Sequence, residues 1–103
     1  MIKAAIFKDG FVITGHAGYA ESGQDIVCAG VSALAQATRF TLNRFNNIVS
    51  DAREGNMSVH ITNPNEDSHI IMEVLENGLY NISKEFPNHL SLKIERTNAN
   101  GKS

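Results

Sequence analysis

Residues 26–38 carry no charged side chain, and Ile26, Val27, Val31, Ala33, Leu34, Ala35 and Ala37 point in nearly every direction around a helical axis. A helix that is apolar on most of its circumference has to be covered on most of it. A bilayer is not expected to provide that cover, because crossing one takes roughly 20 apolar residues and no run in this chain approaches that. The rest of the chain must therefore wrap the helix, and 103 residues do so as one small domain rather than two.

The flanking segments show how. From Met1 the pattern alternates, with Ile2, Ala4 and Ile6 on one face and Lys3, Ala5 and Phe7 on the other. Asp9-Gly10 is a tight-hairpin signal, since a type I′ turn needs positive φ at both central residues. Strands are expected at about 2–8 and 11–15. The stretch 15–23 holds Gly15, Gly18 and Gly23 without apolar periodicity and reads as a mobile loop. Asp25 starts the first helix. An alternating strand follows at 57–62, bounded by Gly55 and Asn63-Pro64. Ile71, Leu75, Leu79, Ile82 and Phe86 recur at helical spacing, predicting an amphipathic helix over about 67–85 that Pro87 stops. A last strand turns Leu90, Leu92 and Ile94 inward. The order β-β-α-β-α-β predicts an α+β two-layer sandwich, a four-stranded sheet with two helices on one face. The domain is expected over 1–97, with 98–103 a disordered polar tail. Two helices on one sheet face leave part of the first helix uncovered, so a homodimer is expected.

A net charge of -2 and a pI near 6.0 argue against direct nucleic-acid binding, which draws on clustered Lys and Arg. One cysteine cannot form an internal disulfide, and the N-terminal residues do not read as a signal peptide. A cytoplasmic protein without membrane association is expected. His60, His69 and His89 show no close ligand spacing, so neither a metal nor another cofactor is expected. Gly78 reads as a close-packing position, and Glu66, Asp67, Glu73 and Glu76 as a solvated face.

The chemistry concentrates around the glycine loop. Cys28 follows Asp25 by three residues, so an Asp25 N-cap puts the thiol in the first turn of the helix, where free N–H groups and the helix dipole favour thiolate over thiol. His16 stands at the other end of the loop, and a Cys/His pair is the minimum for nucleophilic thiol catalysis. Taken singly, each residue has a plainer account: a lone cysteine among alanines is a small core group, and Gly-His is a weak motif. Asp25 either caps the helix or orients His16. Ser32, one helical turn after Cys28, either touches the site or bonds back to the Cys28 carbonyl.

Gly15-His16 followed by Ser22-Gly23-Gln24-Asp25-Ile26-Val27-Cys28-Ala29-Gly30-Val31-Ser32 resembles the Prp family of ribosomal-processing cysteine proteases. Its pattern is Gly-His, then Gly-x-Asp, two aliphatics, Cys, small residues and Ser. The resemblance implies that His16 and Cys28 are the catalytic pair, with Asp25 and Ser32 as supporting polar positions. It further implies an endopeptidase that removes a short N-terminal extension from a large-subunit ribosomal protein during ribosome maturation. In that frame 15–23 becomes a substrate loop. Gly15, Gly18 and Gly23 lend it freedom, Tyr19 offers an aromatic surface, and Glu21 can meet a basic residue. Two other functions use the same residues: a ribosome-associated binding module without catalysis, and a thiol-dependent acyl hydrolase.

Overall fold

Alternation in the first residues buries Ile2, Ala4 and Ile6 along β1 (Ile2–Phe7), and Phe11 and Ile13 continue the same apolar face on β2 (Gly10–Thr14). The computed structural model describes residues 1–21 and 24–98. The polar tail expected over 98–103 lies outside the described residues except for Asn98. After β2 come α1 (Ile26–Phe45), β3 (Ile48–Arg53), β4 (Asn56–Ile61), α2 (Glu66–Glu85) and β5 (Leu90–Ile94). The sheet order is β3-β4-β2-β1-β5, antiparallel throughout except where β5 pairs parallel to β1.

The α+β class and the two helices match expectation. The strand count does not: there are five strands rather than four, and the order is β-β-α-β-β-α-β. The unexpected strand is β3, an edge strand whose residues are exposed apart from a half-buried Ile48. It is held by its antiparallel ladder to β4 rather than by burial, so it shows almost no apolar alternation.

The first hairpin also differs in its turn. Lys8 and Asp9 make it, Phe7 pairs with Gly10, and no non-glycine residue among those described has positive φ. Gly10 is instead the first residue of β2, at a point where β4 runs so close that a Cβ would collide with the Val59 carbonyl. Asp9 seals the turn, accepting from the Ile61 N–H at 2.7 Å and pairing its carboxylate with His60 Nε2 at 3.0 Å.

Both helices cover one face of the sheet. Val27, Val31, Ala35 and Leu42 of α1 and Met72, Leu75 and Leu79 of α2 meet the buried strand residues in one core. The helices approach closely because α2 has no side chain at Gly78. A Cβ there would stand 2.7 Å from Leu34 Cδ1. The outer side of α1 stays uncovered, with Ile26 and Phe40 about 60% exposed and Ala29, Ala33 and Ala37 between them. Among the described residues no helix is long and apolar enough to cross a membrane.

Candidate active site

β2 delivers the chain to Gly15, whose N–H donates to the Gly55 carbonyl of the β3–β4 turn at 3.0 Å. At φ +91, and with the Met1 carbonyl 2.5 Å from where a Cβ would sit, Gly15 fits no other residue without strain. The next residue, His16, lays its ring against Gly55, with Nε2 3.0 Å from the place a Gly55 Cβ would occupy. Bare backbone on one hairpin thus makes the seat for an imidazole on another.

Cys28 comes from the opposite side, in the first turn of α1. The N-cap is Asp25, whose Oδ1 accepts from the Cys28 N–H at 2.9 Å. Its other oxygen, Oδ2, accepts from the loop N–H groups of Tyr19 at 3.0 Å and Ala20 at 3.4 Å. The bond from Cys28, followed by those from Tyr19 and Ala20, outweighs desolvation and holds the Asp25 carboxyl below the usual carboxylate range. Asp25 is therefore both cap and loop anchor. Its hydrogen bonds go to backbone and not to His16, so it does not orient the imidazole.

The thiol is half-buried, and its sulfur accepts a hydrogen bond from the Ala17 N–H at 3.2 Å. Ala17 has its methyl in the core and its carbonyl 3.0 Å from His89 Nδ1. The Tyr19 ring stands edge-on to His89 and to Phe86, with centroids 5.3 and 5.4 Å away. The loop, expected to be mobile, is tied among its described residues at Gly15, Ala17, Tyr19 and Ala20, while Gly18 bends at φ +68 with open space beside it. Glu21 is exposed. Gly23 lies outside the described residues.

His16, Cys28 and Ser32 line one open cavity of about 500 Å³ between α1 and the end of the β3–β4 hairpin, together with Gln36, Arg53 and Asn56. Ser32 is exposed there instead of buried against its own helix. A thiol, an imidazole and a helix start line one solvent-accessible cavity. That is the minimum apparatus for acyl transfer at a thiol. A family model for the cysteine protease Prp matches residues 1–91.

The chain belongs to the Prp family of cysteine proteases.

Two curated relatives agree. The ribosomal processing cysteine protease Prp of Mycoplasma genitalium is 27% identical over 104 residues, covering 92% of this chain and 97% of that protein. The Bacillus subtilis protein of the same name is 67% identical over 40 residues, 33% of this chain and 36% of that one. A crystal structure of the essential ribosomal processing protease Prp from S. aureus, bound covalently to a product peptide, superposes with a TM-score of 0.86 at 22% identity, covering 92% of this chain and all of that one. The five-stranded fold is thus one in which a Prp protease has been seen holding a peptide.

Sequence reasoning missed two contributors to the site. His89 showed only a lack of close ligand spacing, and its link to Ala17 crosses 72 residues. Gly55 looked like a boundary before a strand. Its partner is His16, and no local pattern announces a contact between two hairpins.

Proposed function

We propose that this chain is a cysteine endopeptidase that removes the N-terminal extension of a large-subunit ribosomal protein, with Cys28 as nucleophile and His16 as proton carrier. One observation carries the assignment. A cysteine protease requires a cysteine, this chain has a single one, and that residue stands at a helix start facing a cavity it shares with a histidine. The relatives' name, ribosomal processing cysteine protease, supports the substrate.

In the forward reaction His16 takes the thiol proton and Sγ attacks the scissile carbonyl carbon. The carbonyl π electrons move to oxygen, and the positive end of the α1 dipole favours the oxyanion. Collapse re-forms the carbonyl and breaks the C–N bond, and the new amine leaves with the proton from His16. Water, deprotonated by the same imidazole, then attacks the thioester and releases the carboxylate and the thiol. Asp25 acts at a distance by holding the helix start and the loop together. Ser32 supports the cavity wall one turn beyond the sulfur. Gly18, Tyr19 and Glu21 form the loop surface that meets the peptide, with Gly15 and Gly23 at its ends.

The catalytic domain spans 1–97, acts in the cytoplasm where its substrate is made, and pairs as a homodimer through the exposed stripe of Ala29, Ala33, Ala37 and Phe40 on α1. Sedimentation at micromolar concentration should give the dimer mass, and a monomer would remove that part. The central test mixes the purified protein with the full-length ribosomal protein carrying its extension, and identifies products by mass spectrometry. Loss of the extension with wild type and none with Cys28→Ala is expected. An uncut substrate with wild type would leave a binding module instead, and cutting by Cys28→Ala would remove the thiol from the mechanism.

A further inference from the structure

We infer that His89 is a positioning residue for Cys28, acting through the backbone of Ala17; this rests on Cys28 being the nucleophile.

His89 is rooted in the frame of the molecule. Its carbonyl accepts from the Ile2 N–H at 3.0 Å, joining it to the interior strand β1, and its own N–H donates to the Phe86 carbonyl at 2.9 Å. From that fixed base the ring reaches Ala17, where Nδ1 lies 3.0 Å from the carbonyl oxygen. A carbonyl can only accept, so Nδ1 carries the proton. The edge-on Tyr19 ring sets the plane of the imidazole from the other side.

Ala17 is a short lever between this ring and the sulfur. Its carbonyl is held by His89, and its N–H donates to Cys28 Sγ at 3.2 Å. The following residue, Gly18, sits at φ +68 with open space beside it, and the Tyr19 and Ala20 N–H groups beyond it are tied to Asp25, so His89 is the side chain that holds the Ala17 carbonyl itself. The carbonyl and the N–H of Ala17 belong to two peptide planes that meet at its α-carbon, so holding the carbonyl restrains the residue's ψ and, together with the methyl buried in the core, keeps Ala17 where its N–H meets the sulfur. An N–H donor interacts more strongly with a thiolate than with a thiol. His89 therefore keeps in place a donor that favours the reactive form and fixes the direction in which Sγ presents itself to the cavity.

The experiment compares His89→Phe, which keeps a ring for Tyr19 and lacks the donor, with His89→Asn, whose side-chain nitrogen occupies nearly the place of Nδ1. Two readouts are taken on folded, full-length protein: the rate of Cys28 alkylation by iodoacetamide at neutral pH, and kcat and KM on the ribosomal protein carrying its extension. A lost hydrogen bond of ordinary strength predicts about a tenfold fall in alkylation rate and in kcat for His89→Phe. KM should stay within about twofold in His89→Phe, because a ring still stands against Tyr19 of the loop surface. His89→Asn should recover most of the loss in both readouts. Wild-type alkylation and kcat in His89→Phe, or equal losses in the Phe and Asn variants, would overturn the inference. If His89→Phe does not fold, His89→Leu takes its place as the donor-free arm. Alkylation needs no protein substrate, so its outcome stands even if the proposed cleavage fails.

Discussion

The two helices of this domain begin with the same grammar and use it for different ends. Each is 20 residues long, and each has an N-cap whose side chain accepts from the N–H three residues on, Asp25 from Cys28 in α1 and Asn65 from Ser68 in α2. At α2 the arrangement closes on itself. The Ser68 hydroxyl accepts from the Asn65 N–H at 2.8 Å, completing a capping box, and Glu66 and Asp67 add negative charge to the first turn. At α1 the third residue is a thiol that does not reach back, the first turn has no acidic residue, and the cap spends its second oxygen on the loop. An N-terminus satisfied within its own turn is structure. One whose cap is shared with a loop, and whose third residue is a thiol lining a cavity, is a place for chemistry.

The largest expected effect is at the open end. Cys28→Ala and Cys28→Ser should both abolish cleavage with little change in melting temperature, and His16→Ala should lower turnover by roughly 10²–10⁴-fold, the usual scale for a general base. Undiminished turnover in any of the three would erase the contrast. Gly55→Ala comes next. It adds a Cβ 3.0 Å from His16 Nε2 at a position of φ +74, so a fall in kcat of about tenfold is expected, along with about 1 kcal/mol of backbone strain. Thermal melts and kinetics on the same preparation separate the two contributions.

Asp25→Asn sharpens the comparison, since it keeps a capping oxygen and removes the charge, leaving α1 more like α2. A several-fold drop in cleavage is expected. Because the fold holds this carboxyl below the usual range, its stabilisation is complete above the unfolded-state value and is lost as pH falls through the lower folded one. Melting temperature followed down into the acid range should therefore decline less steeply in Asp25→Asn than in wild type, and parallel curves would show that the charge is not felt. The smallest effect on activity belongs to the closed end. Ser68→Ala should cost about 1 kcal/mol in denaturant unfolding, as lost caps do, and leave cleavage per folded molecule unchanged.

This contrast bears on what was legible beforehand. Cap, thiol and histidine could be placed from residues 15–32, because helix starts and glycine loops are local features. The sharing of the Asp25 carboxylate between helix and loop was not legible: choosing between a cap and a partner for His16 requires knowing where the Tyr19 and Ala20 amides go. β3 escaped for a related reason, since Ser50, Asp51 and Arg53 make sense only beside β4. The Asp9-Gly10 pair did mark a turn, but the turn falls one residue before it, at Lys8-Asp9, because Gly10 answers to a neighbouring strand rather than to the turn. Patterns that depend on one element could be read, and those that depend on two elements meeting could not.

The parallel pairing of β1 with β5 carries a consequence for how activity arises. β1 is made first and lies inside the sheet, yet the neighbour on one of its sides arrives only with Leu90–Ile94. Contacts between such distant segments form late and slowly in folding, after the hairpins and helices have assembled from nearby residues. His89, the residue just before β5, docks in that same closing event. A growing chain therefore has Cys28, its loop and His16 long before it has His89, and on the roles proposed above competence for catalysis comes with the final strand rather than with the thiol.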